Sequence, residues 1–409
     1  MNNNSAGRWP AVSWIYVGFA LTGMGTVLLG CVLPTLIAKW HLDDTRAGIL
    51  FAAQFAGSAL GAGLVSHDYF KSIVRGYALL TVSALALAWF NRSPHSWLFL
   101  SFGLGLGLTM TATSMLMGSL YPLKRGAVLS SLNACWCLGA VLCPAMVSLW
   151  VERWPVATLF LAFGFTVATV LFLAGNVAPA LPTRETQAPA QVQERFPLLL
   201  IAAFTLVGFL YVGVEASVSS WMMVYVRRLA ATHDVLPPVA VSCFWIALLC
   251  GRAIAPAVLR SISEEQLLNI SLLGALIAVL FLIIDLSPLA SIFIASAAGL
   301  LLGPIYPLCL AKILALANDS ARTKWVFGIC GLGAALLPWL TGKVSTHHGS
   351  LSVGLMIPLA ALALMILVQL SGAVALSFRK GFRPHGVAGN MFFSSMLIAY
   401  AAGAYLALG

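Results

Sequence analysis

The stretch "FPLLLIAAFTLVGFLYVGVEASVSSWMMVYV", Phe196 to Val226, decides the fold. It is an almost unbroken apolar run. Crossing roughly 30 Å of hydrocarbon takes about 20 residues at about 1.5 Å each, so as a helix the run is long enough to span a bilayer. A strand would leave an open edge with no hydrogen-bond partners in lipid, which makes helix the only viable reading. One carboxylate, Glu215, interrupts it. A charge at the bilayer centre costs on the order of 3 kcal/mol on insertion scales, so Glu215 is expected to face the protein interior and to find a partner there.

Working outward, similar apolar windows recur near 13–38, 46–66, 76–91, 97–120, 126–150, 155–175, 238–259, 266–285, 289–315, 323–343 and 351–377, making twelve with the span at 197–226. Apolar residues make up 61% of the chain and charged residues only 8%, far from the quarter typical of soluble domains. The fold class is therefore an all-α polytopic membrane protein. The first span is too long for the apolar core of a signal peptide and has no small-residue cleavage site, so it counts as structure. A further apolar run, Met391 to Leu408, follows the basic connector Arg379, Lys380, Arg383 and is expected to cross as a peripheral thirteenth helix.

With the N-terminus inside, fourteen Lys and Arg side chains fall in cytoplasmic segments and seven in outer ones, which predicts a cell-membrane protein, in the inner membrane if bacterial, with a cytoplasmic N-terminus. The same bias accounts for the net charge of +10: it matches anionic lipid headgroups and forms no face suited to nucleic acid. All eight cysteines (Cys31, Cys135, Cys137, Cys143, Cys243, Cys250, Cys309, Cys330) lie in apolar spans and read as packing residues rather than metal ligands. His347 and His348 have no third ligand within reach. No cofactor or metal is expected, and no enzyme: a Gly-x-x-x-x-Gly-Lys-Ser/Thr phosphate loop does not occur.

The organisation read from the sequence is a first six-helix half at 1–175, a cytoplasmic linker at 176–196 rich in Pro, Ala and Gln, a second half at 197–377, and the connector with its apolar helix at 378–409. The halves echo each other. "LGAVLCP" (Leu138 to Pro144) and "LGAALLP" (Leu332 to Pro338) stand at an offset of 194, as do Gly57-Ser-Ala and Gly251-Arg-Ala, which fits a duplicated unit. Gly57, Ser58, Gly61, Gly139, Pro144, Gly251, Pro256, Gly303, Pro304, Gly333 and Pro338 soften helices or let them approach closely.

Two six-helix halves joined by a cytoplasmic linker resemble the major facilitator superfamily. Within it, "YVGVEASVSSWMMVY" in span 7, "FWIALLCGR" (Phe244 to Arg252) in span 8 and "GLLLGPIYP" (Gly299 to Pro307) in span 10 resemble the fucose/glucose/galactose symporter type of sugar permease. That resemblance implies secondary transport of a small polar solute, a monosaccharide, by alternating access, coupled to H⁺ or Na⁺. The loop "GLVSHDYFKSIVRG" keeps Gly63, Asp68, Lys71 and Arg75 of the superfamily's gating-loop signature with altered spacing. Members of this type carry acids in spans 1 and 4; here span 1 has none and span 4 offers only Thr109, Thr111 and Thr113.

Counting inward at 1.5 Å per residue puts Glu215 roughly 17 Å and Arg252 roughly 21 Å below the outer ends of their helices. An intramembrane ion pair is the economical expectation, with two roles open. One is a permanent strut between spans 7 and 8; the other is a cavity-lining acid that takes a proton or holds substrate hydroxyls, tuned by Arg252. A sugar site also needs flat apolar rings and a few amides. The candidates are Gln54, Asn133, Trp136, Trp221, Trp245, Tyr306 and Trp325. The expected partners are this small-molecule substrate, the coupling ion and membrane lipid, and the expected assembly is a monomer. Two alternatives stand beside this reading. A multidrug or lipophile exporter would fit "GAVLCP", in which Cys143 replaces the second Gly of a Gly-x-x-x-Gly-Pro pattern. A non-transporting membrane sensor or assembly partner is the other.

Overall fold

The structure is a computed structural model that describes residues 8–121, 125–176, 198–230, 235–284, 287–309 and 323–379. Twelve long helices run through them: α1 (Arg8–Trp40), α2 (Asp44–Gly63), α3 (Tyr69–Trp89), α4 (Ser96–Leu120), α5 (Arg125–Val151), α6 (Val156–Asn176), α7 (Leu198–Leu229), α8 (Leu236–Val258), α9 (Glu264–Ile283), α10 (Pro288–Leu302), α11 (Thr323–His348) and α12 (Met356–Arg379). A single turn, Leu351–Gly354, leads into α12. Helix starts are marked in the sequence by short polar side chains: Asp43 caps α2, Asp68 caps α3, and Ser263 with Gln266 forms a reciprocal capping box on α9. The apolar run Met391 to Leu408 and the segment 177–196 of the linker lie outside the described residues.

Among the described residues, ten helices are long and apolar enough to cross a membrane on length and composition. Helix α2, with Asp44, Arg46 and Gln54, is the more polar, and it packs against α11 across the two halves, so it does not need a fully apolar circumference. Helices α5 and α8 meet in the same way, and α1 touches α7. Helices α3, α6, α9 and α12 sit at the periphery, where Phe165 and Phe172 on α6 and Leu273, Ile277 and Leu280 on α9 are exposed, as lipid-facing side chains are.

The repeated glycines do the same job in both halves. A Cβ on Gly57 would stand 2.0 Å from the Leu100 carbonyl oxygen of α4, and one on Gly251 would stand 2.1 Å from the Leu300 carbonyl oxygen of α10. A Cβ on Gly139 or Gly333 would stand 1.9 Å from the carbonyl of Ala20 on α1 or of Phe209 on α7. At each place the backbones touch, and only hydrogen fits between them. The pairs α2/α4, α8/α10, α1/α5 and α7/α11 are thereby locked, and between the halves α2 and α11 approach as closely, a Cβ on Gly342 standing 2.3 Å from the Asp44 carbonyl oxygen.

Candidate functional site

A cavity of about 220 Å³ opens between the halves, lined by α1, α2, α4, α5, α7, α8 and α11. On its wall, Glu215 of α7 accepts two hydrogen bonds on one oxygen, Oε2. The Tyr211 hydroxyl donates one at 2.5 Å, and Arg252 Nη2 of α8 the other at 3.0 Å. Tyr211 lies four residues before Glu215 on the same helix, a spacing that puts both on one face. Its ring is fixed in turn by stacking on Tyr306, with centroids 5.6 Å apart and planes 22° off parallel. Tyr306 is where it is because α10 stops at Leu302 and resumes after Gly303-Pro304; proline has no N–H to continue the ladder. The ion pair is close to buried, with Arg252 22% and Glu215 16% exposed.

Also on the cavity wall, Trp136 of α5 and Trp245 of α8 meet edge to face, 5.2 Å between centroids. Neither indole N–H has a hydrogen-bond partner, and neither does Arg252 Nε.

Toward the end of the bundle where α2 begins, the halves are joined by a second ion pair. Arg228 near the end of α7 grips Asp44 through two parallel bonds, Nη1 to Oδ2 at 2.8 Å and Nη2 to Oδ1 at 2.5 Å. The Ser345 hydroxyl of α11 donates to Asp44 Oδ2 at 2.5 Å, and the Thr45 N–H donates to Thr346 Oγ1 at 2.8 Å. Deeper along the same seam Trp221, fully buried, stacks edge to face on Phe51 and donates to the Pro338 carbonyl at 2.9 Å. Across the other seam, the Ser242 hydroxyl donates to the Val141 carbonyl at 2.9 Å.

The sequence candidates thus separate. Glu215, Trp136 and Trp245 line the cavity, with Arg252 and Tyr306 behind Glu215. Trp221 does not line it: its indole is consumed by the α2/α7/α11 seam. Gln54 is buried behind the wall, donating to the carbonyl of Thr26, itself a lining residue, while its own side-chain oxygen has no partner. Asn133 is exposed on α5, one turn before Trp136. Trp325 belongs to α11, and its side chain lies outside the described residues. Asp68 caps α3, accepting from the Lys71 N–H at 3.0 Å and pairing with the Lys71 ammonium at 3.1 Å; that backbone N–H, followed by the side chain, holds its carboxyl below the usual carboxylate range. Arg75 is exposed on the same helix. Sequence reasoning missed Asp44, Arg228 and Ser345. Asp44 and Arg228 stand at the ends of apolar runs, where a charge is ordinary, and the one available signal is that Asp44 directly follows the cap residue Asp43.

Paired helices in two halves around a central cavity define a membrane transporter. The chain belongs to the Major Facilitator Superfamily, whose family model matches residues 15–326. It is similar to "Bypass of stop codon protein 6" of Saccharomyces cerevisiae, 24% identical over 413 aligned residues, covering 89% of this chain and 82% of that protein. It is also similar to the "Inner membrane transport protein YdiM" of Escherichia coli K12, 22% identical over 276 residues, 64% of this chain and 68% of that one. Among solved structures, FucP in its outward conformation aligns with a TM-score of 0.61 at 16% identity, covering 88% of this chain and 98% of FucP. The N162A form of the E. coli fucose:proton symporter FucP aligns with a TM-score of 0.56 at 15% identity, covering 88% and 97%. These structural likenesses define the fold.

Proposed function

We propose that this chain is a secondary transporter that carries a monosaccharide through the cavity by alternating access, coupled to an ion through Glu215. The carrying observation is the Tyr211–Glu215–Arg252 cluster: an acid on the cavity wall, held by a tyrosine and a cation from a neighbouring helix. Intramembrane acids in such a position normally mark a substrate or proton path. The cavity volume supports a small solute, since sites for drug-sized ligands run to roughly 300–1,000 Å³. The activity of the structural neighbour FucP, fucose:proton symport, directs the choice toward a monosaccharide. With the N-terminus in the cytoplasm, the Asp44–Arg228 end faces outward, and solute would exchange with the cytoplasmic side in this state.

The test is uptake of labelled monosaccharides into proteoliposomes with and without a proton or sodium gradient. Glu215→Gln is expected to abolish gradient-driven accumulation while the protein stays inserted and folded. Near-normal accumulation by that variant would remove Glu215 from the coupling role.

A further inference from the structure

Among the described residues, two Arg–carboxylate pairs join different helices, and they are of opposite design. Arg228 and Asp44 meet through two nitrogens and two oxygens, the geometry in which a guanidinium fork best satisfies a carboxylate. Arg252 meets Glu215 through one nitrogen and one oxygen, and that oxygen is shared with Tyr211. Arg252 Nε–H is left buried without a partner, an expensive state for a charged donor. Two more unsatisfied donors belong to side chains that line the same cavity: the indole N–H groups of Trp136, 9% exposed, and Trp245, 3% exposed, each N–H itself buried at the wall. Among the described residues, then, the site around Glu215 has three N–H donors wanting acceptors, and its one carboxylate is already engaged.

We propose that the solute bears a carboxylate, making it a monosaccharide acid, and that this group displaces Glu215 from Arg252 to be held by the guanidinium fork and the two indole N–H groups. The inference rests on the transporter reading above and names the solute's class. Glu215 sits on the cavity wall with Arg252 behind it, so the incoming carboxylate replaces Glu215 one for one and Arg252 keeps a counter-charge. The displaced Glu215 takes a proton from the water facing the cavity, because an uncompensated carboxylate in this surrounding is neutralised rather than left charged. One carboxylate and one proton travel together; no bond in the solute forms or breaks, and no net charge moves. The titratable groups facing Glu215 are Tyr211 on its own helix, Arg252 on α8, Tyr306 on α10 and Cys137 on α5 beside the guanidinium. None of them is a second carboxylate to compete for the proton.

The full-length protein in proteoliposomes, under an inward proton gradient, is offered labelled D-glucuronate, D-glucose and L-fucose. Glucuronate is expected to accumulate, with excess D-gluconate competing and excess D-glucose not. Arg252→Lys keeps the charge and loses the fork; it should lower glucuronate uptake about ten- to hundredfold at an unchanged melting temperature. Glu215→Gln imitates the protonated acid and should still exchange internal for external glucuronate while failing to accumulate it. Replacing Trp136 or Trp245 by benzothienylalanine keeps the ring and deletes the N–H, and should weaken glucuronate competition without disturbing the fold. Uptake of glucose or fucose but not glucuronate, or equal uptake of all three, overturns the acid inference and leaves the transporter reading standing. Uptake of none of them by a correctly folded protein overturns both.

Discussion

Replacing Arg228 by alanine should unlatch the end of the bundle where α2, α7 and α11 meet. The Asp44 carboxylate there is only 7% exposed and loses both of its charge-assisted bonds, keeping only the Ser345 hydroxyl. Removing one partner of a fully buried pair costs about 3–5 kcal/mol, whereas exposed pairs contribute about 0–1. Arg228 is 43% exposed, so an intermediate penalty of about 2 kcal/mol applies. The stranded carboxylate regains water only if the seam separates. The penalty therefore falls on the joined state and shifts the population toward separation by about thirtyfold. Spin labels at Arg46 on α2 and His347 on α11, both exposed, report the opening directly. The native latch should give one narrow short distance and Arg228→Ala a longer second population. Adding Asp44→Asn should recover part of the short distance, because a neutral amide tolerates the closed seam better. A distance distribution unchanged by Arg228→Ala would refute the reasoning, since the pair would then carry none of the closure.

A double-mutant cycle on Glu215 and Arg252 in thermal melts should be non-additive: Arg252→Ala alone strands a buried acid at a cost of about 3–5 kcal/mol, and removing both costs less than the sum. Additive losses would mean the two do not act as a pair. Gly103→Ala should destabilise by about 1–3 kcal/mol, because a Cβ there would stand 1.8 Å from the Gln54 backbone oxygen, whereas Gly63→Ala, with nothing within 4 Å, should not lower the melting temperature through any contact.

Composition and span length made the helical membrane fold readable, because lipid leaves the chain no other way to satisfy its backbone. That Glu215 and Arg252 would stand level and meet was readable too, since helix rise converts residue number into distance along the helix. What escaped is pairing between the halves. Trp221 looked like a ring for sugar binding, yet it packs edge to face on Phe51 of the first half while its N–H is committed to Pro338, contacts that no local pattern encodes. Asp44 and Arg228 escaped because a charge at a helix end needs no explanation until the partner helix is in place. The polar residues of α2 were themselves a trace of that pairing, visible only once its packing on α11 is known.

The two seams between the halves are built from different chemistry. One is closed by a half-exposed guanidinium on a carboxylate, the other by a pair of indoles and a serine hydroxyl. Mobile ions screen charges over about 8 Å at physiological ionic strength, and less than that in more concentrated salt. Dissolved electrolyte at the α2 end should therefore loosen the first seam and leave the second unchanged, so that the ionic strength of the medium on that side tunes how readily the bundle parts and from which edge it begins.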